Sequence, residues 1–170
     1  MSVQVRVEQS ESGPPVYRIG SHRRTLTETD IVNFVNLVGL HEPPFIDMEF
    51  VARMPGIHSR RFAPAPLLIS LGMGLVATRM TQVVEAISER EGLGPFRGMV
   101  GVEAAVKRPA FPGDTLRVEL EAAVERKTRR GQTIVALRHR LTNQRDELVV
   151  DFTERVLFDP AQPRELNSPG

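Results

Sequence analysis

Glu42 and His41 stand side by side, immediately ahead of Pro43 and Pro44. A carboxyl group and an imidazole so placed can take and return protons, histidine being the side chain that titrates near neutrality. The two prolines fix backbone torsions beside them, and an acid/base group must hold its reach on one proton. The competing readings are a loop carboxylate that pairs with an arginine or caps a helix, and an exposed or packing histidine. Asp47 is a further carboxylate on the same segment. Its place at the start of a short helical pattern suits an N-cap, with catalysis as the alternative.

Other groups with reactive chemistry are less well placed. His58 lies in a loop rich in glycine and arginine, and His22 and His139 sit in segments with no carboxylate pattern around them. The four histidines lack zinc-ligand spacing. There is no cysteine, which excludes disulfides, thiolate nucleophiles and thiolate metal sites. No metal and no cofactor are expected. Ser70 stands in an apolar helical run without a His–Asp partner and is expected to bond back to helix carbonyls. Arg60, Arg61, Lys107 and Arg108 could take phosphate groups through charge-assisted hydrogen bonds, against the reading of solvated surface charge. The basic stretch from Arg126 to Arg130 reads as a hairpin tip, and no aromatic residue interleaves it as a nucleic-acid site would require.

The chain has 170 residues, 41% hydrophobic and 25% charged, the composition of one globular domain. Lys plus Arg number 22 against 21 Asp plus Glu, so no net field draws nucleic acid or an anionic membrane. The first 15 residues lack the apolar stretch of a signal peptide. The most apolar run, Leu67 to Val76, is shorter than the roughly 20 residues of a membrane span and reads as a buried helix. These features, with the absence of cysteine, point to the cytoplasm. Residues 1–16 and 159–170 are polar and proline-rich and are expected to be flexible tails around a domain of residues 17–158.

Periodicity supplies the elements. Ile31, Phe34, Val35 and Val38 form one helical stripe, opened by a Thr27/Asp30 capping box and closed by Gly39. Pro43 and Pro44 predict an extended or turned stretch, followed by a short helix from Asp47 to about Met54. A long helix runs from about Ala65 to Ser88, with Pro66 in its first turn. Gly72 and Gly74 within it are expected to admit close packing. Strands follow near 97–107, 116–125, 135–141 and 148–158. Consecutive antiparallel strands after a long apolar helix suggest a curved sheet wrapped on that helix.

Several segments together resemble the MaoC-like acyl-thioester hydratases and dehydratases: Phe111-Pro112-Gly113-Asp114-Thr115-Leu116, Leu26 to Ile31, Gly39 to Phe50, and Arg61 to Leu67. In order and spacing they cover residues 17–158. The resemblance implies an α+β hot-dog fold, an antiparallel sheet around a long central helix, and a homodimer with the site between subunits. The family's catalytic segment typically reads Gly-Asp-x-Asn-Pro-x-His-x-Asp. Here it reads Gly39-Leu40-His41-Glu42-Pro43-Pro44-Phe45-Ile46-Asp47, so the catalytic Asp and His positions hold Leu40 and Phe45, which would line the substrate tunnel. Glu42, His41 and Asp47 are then the catalytic candidates.

The amide of Ala65, at the start of the central helix, is the implied oxyanion and thioester contact. Arg60, Arg61, Lys107 and Arg108 are the implied contacts to the phosphates of coenzyme A. The implied ligand is an acyl thioester of coenzyme A or acyl carrier protein. The leading expectation is hydration of a 2-enoyl thioester, or the reverse dehydration, by a rearranged site. A non-catalytic thioester binder or inactive partner subunit, and a hot-dog thioesterase, are the competing readings.

Overall fold

The chain forms a seven-stranded antiparallel sheet that curls around one long helix. The computed structural model describes residues 5–9, 13–56 and 60–161. Three strands open it: β1 (Arg6–Glu8), β2 (Val16–Gly20) and β3 (Arg24–Thr25). Helices α1 (Glu28–Val38), α2 (Pro43–Ile46), α3 (Met48–Arg53) and α4 (Ala65–Glu91) follow, and then β4 (Leu93–Val106), β5 (Thr115–Lys127), β6 (Thr133–Thr142) and β7 (Leu148–Pro160). The sheet order is β1-β2-β5-β6-β7-β4, with β3 paired to β5 off that path.

The sheet starts earlier than the hydrophobic pattern suggested. β1 lies inside the expected tail, with Arg6 opposite Arg18 and Glu8 opposite Val16 on β2. Its residues are all exposed, so no alternation betrays it in sequence. At the other end β7 runs to Pro160, and the expected tail beyond residue 161 lies outside the described residues.

α1 forms as its signals require. Thr27 accepts from the amide of Asp30, Asp30 accepts from the amide of Thr27, and Gly39 closes the helix in the left-handed region at φ 69°. The Pro43-Pro44 stretch departs from expectation: it is the short helix α2. Prolines at the first two helical positions forfeit no intrahelical hydrogen bond, so they can start a helix as well as prevent one.

α4 spans 27 residues, and by length and composition alone it could cross a membrane. Here Leu67, Leu68, Gly72, Leu75, Val76, Val83 and Ile87 are buried, and the helix lies against β2, β4, β5, β6 and β7. Gly72 sets how closely it sits. A Cβ placed there would lie 2.7 Å from the ring of Phe152 on β7. Gly74 differs from the expectation of close packing, since a Cβ there would meet nothing within 4 Å. Gly74 is exposed, so its missing side chain leaves open space rather than a close contact.

Candidate functional site

The segment after α1 is held against the start of α4 by side chains from three elements. The Phe45 ring packs on Phe62, centroids 5.5 Å apart, and Phe62 leads into Ala63, Pro64 and Ala65. Arg61 donates from Nη1 to the carbonyl of Phe45 at 2.8 Å, and its Nε lies 2.6 Å from Glu28 on α1. The Nε contact is close but poorly aligned for a hydrogen bond, so it acts as an ion pair by proximity. One half-buried guanidinium therefore clamps α1, α2 and the approach to α4 together.

The loop between β4 and β5 completes the scaffold. The amide of Ala63 donates to Ala110, the amide of Leu26 to Asp114, and the amide of Gly113 to Leu26. Asp114 braces this turn from inside, accepting from the amide of Phe111 at 2.9 Å and from Gln144 Nε2 at 3.0 Å. The Phe-Pro-Gly-Asp turn thus fixes the starts of α1 and α4 relative to the sheet.

On that scaffold the catalytic candidates take different positions. Glu42 is the N-cap residue of α2, with its carbonyl accepting from Phe45 and its side chain making no cap. Glu42 and His41 are both exposed, and Leu40 and Phe45 are half-buried beside them. Asp47 caps α3, accepting the amides of Glu49 and Phe50 at 2.9 and 3.0 Å through one oxygen. That is the structural role its position suggested.

Ala65 is the first residue of α4, behind Pro64. Amides in the first turn of a helix have no intrahelical partner and carry the positive end of its dipole. This corner can therefore receive a polarised carbonyl oxygen.

Of the four cations expected around a phosphate, Arg61 is the clamp just described. Arg60 stacks over Phe111, 4.6 Å from its centroid, and reaches the carbonyl of Pro112. It therefore lies against the connection that begins with the exposed Lys107 and Arg108. His58 lies outside the described residues. No group of three or more His, Asp or Glu side chains that could hold a metal occurs among the described residues.

One pair went unseen in the sequence. His139 on β6 is fully buried, and its Nε2 lies 3.3 Å from the Glu154 carboxyl on β7. The segment read as lacking a carboxylate acquires one from the neighbouring strand. Both residues occupy inward-facing places in otherwise apolar alternations, and that interruption was the available signal.

No protein-family model matches the chain, and no curated protein matches it. Solved structures do. An Archaeoglobus monoamine oxidase regulatory protein is 28% identical with a TM-score of 0.65, over 86% of this chain and 90% of that one. A MaoC-like dehydratase from Rhodospirillum rubrum is 22% identical at TM-score 0.61, over 86% and 92%. The fold is that of the MaoC-like hot-dog proteins. The (R)-hydratase of A. caviae is 21% identical at TM-score 0.55, over 90% and 99%. In this hot-dog chain the long helix α4 is the central helix, as the resemblance implied. The segment from Gly39 to Phe50 meets its N-terminus through Phe45 and Phe62.

Proposed function

We propose that the protein binds an acyl thioester at the start of α4 and hydrates its 2-enoyl form, or dehydrates the 3-hydroxyacyl form. The observation that carries this reading is the junction of Phe45, Phe62 and Ala65, which brings the loop of Glu42 and His41 to a helix N-terminus. In the proposal the thioester oxygen accepts from the Ala65 amide, where enolate charge is favoured. One of Glu42 and His41 takes a proton from water as its oxygen bonds the β-carbon, and the other delivers a proton to the carbon next to the thioester; dehydration is the reverse. Leu40 and Phe45 line the acyl tunnel. Arg60, Lys107 and Arg108 meet the phosphates of coenzyme A.

A homodimer belongs to the same reading. β4 pairs only with β7, so its outer edge is open among the described residues. It displays Phe96, Met99, Val100, Val102 and Val106 to solvent, an edge that invites a second strand. We place the protein in the cytoplasm.

Turnover of crotonyl-coenzyme A and longer 2-enoyl thioesters, followed by loss of enoyl absorbance, tests the proposal. The parent should hydrate them, and Glu42→Gln should lose at least about 100-fold in kcat, the scale of one acid/base group. A silent parent across chain lengths overturns hydration. A second reading, a thioester binder without turnover, is favoured by the Phe45–Phe62 contact, which fills with an aromatic pair the place where the family carries its histidine. Binding of the thioesters by a silent parent selects it.

A further inference from the structure

A cavity of about 660 Å³ lies on the outward face of the sheet and shares no residue with the candidate active site. Strand register makes it. Along β5 the residues Leu116, Val118 and Leu120 are buried, while Arg117 and Glu119 point outward. Arg18 lies opposite Glu121, and Arg140 opposite Glu119, on that outward face. β1 adds Arg6 directly opposite Arg18. Gly20 is the β2 residue opposite Glu119. A Cβ there would meet nothing within 4 Å, so a glycine leaves the floor of the cleft open.

The cations in this cleft are unevenly matched. Arg18 lies 3.3 Å from Glu8 and 3.1 Å from Glu121, and Arg117 lies 2.8 Å from Asp146. Arg140 reaches Glu119 only at 3.8 Å. Arg6 makes no ion pair among the described residues. Like charges directly opposite on neighbouring strands repel, so the Arg6–Arg18 pairing disfavours docking of the three-residue strand β1. A dianion between Arg6, Arg18 and Arg140 would reverse the sign of that interaction. Guanidinium forks match phosphate oxygens in pairs, and the volume is that of a small-metabolite site.

We infer that this outward cleft binds a phosphate-bearing small molecule between Arg6, Arg18 and Arg140, over the floor left open by Gly20. The Arg117–Asp146 pair closes one end of it, and binding tightens β1 onto β2.

Isothermal titration of the full chain with inorganic phosphate, at constant ionic strength held with chloride, tests this. The parent should show one saturable site. Arg6→Gln combined with Arg140→Gln should weaken it at least tenfold. Gly20→Val, which fills the floor and keeps every arginine, should weaken it likewise while the thermal midpoint without phosphate stays put. Tighter binding of a sugar phosphate or nucleoside monophosphate identifies an organic phosphate as the ligand, and equal affinity identifies the free ion. Equal phosphate affinity in the parent and both variants, or no saturation above the chloride background, overturns the inference.

Discussion

The imidazole of His139 and the carboxyl of Glu154 face each other across 3.3 Å in the interior of the sheet. His139 Nδ1 lies 3.0 Å from the Leu137 carbonyl, and a carbonyl only accepts, so Nδ1 carries the ring proton. Nε2 of the neutral ring is then an acceptor facing Glu154. Burial holds the imidazole down at about 4 and pushes the Glu154 carboxyl up. Although the separation is that of an ion pair, burial disfavours the charged form of both groups. The ring also stacks on Phe152, centroids 4.3 Å apart, which ties the pair to the residue packed against Gly72.

Stability should therefore depend on pH through this pair. The His139 contribution is complete above its ordinary value of 6.5 and is lost as pH falls toward 4. A shift of that size corresponds to on the order of 3 kcal/mol. Glu154 acts in the opposite sense. Its contribution is complete below 4.5 and is lost as pH rises through the raised folded value. Glu154→Gln removes the second contribution and keeps the first. Denaturant midpoints of parent and variant should diverge above pH 4.5, with the variant gaining on the parent. A difference constant with pH would show that Glu154 does not hold its proton on folding.

The two central-helix glycines should respond with opposite signs. At Gly72 a methyl would lie 2.7 Å from the Phe152 ring, which is itself fixed by the His139 stack. Gly72→Ala should destabilise by about 1–3 kcal/mol, the range for an overpacked core. Gly74→Ala meets open space and should stabilise by about 1 kcal/mol through helix propensity. Chemical denaturation of both variants decides the matter, and equal shifts would contradict the packing described.

Asp114 is 9% exposed, and its two carboxylate oxygens receive the Phe111 amide and Gln144. Asp114→Ala should cost about 1–3 kcal/mol, since a buried donor loses its acceptor. The damage should spread to the start of α4, because the same loop carries the Ala110 carbonyl that receives Ala63. Hydrogen exchange should show faster exchange of the Ala63 amide in the variant. An unchanged rate would mean the turn does not brace the helix.

The β4 edge gives a prediction about mass. The parent should sediment at twice the 19.0 kDa of one chain. Val102→Lys with Val106→Lys places charge along the edge and should return the protein to one chain. A monomeric parent would remove the homodimer from the proposed function.

Sequence alone determined the elements whose signals are local. The Thr27–Asp30 box, Gly39, the Asp47 cap and the long run from Ala65 each depend on residues within one or two turns, so their physics can be read along the chain. The alternations of β5, β6 and β7 were legible because one face of each strand is buried. The sequence does not mark β1 and β2 as strands: β1 is exposed throughout, and β2 is only five residues long. Glu42, His41 and Phe45 could be picked out in sequence. Only the tertiary structure decided that Arg61 serves as a clamp, because its partners on Glu28 and Phe45 are set by helix packing. The same holds for His139 with Glu154, and for Arg6 opposite Arg18. These pairs belong to different strands, and register, a property of the folded sheet, is what brings them together.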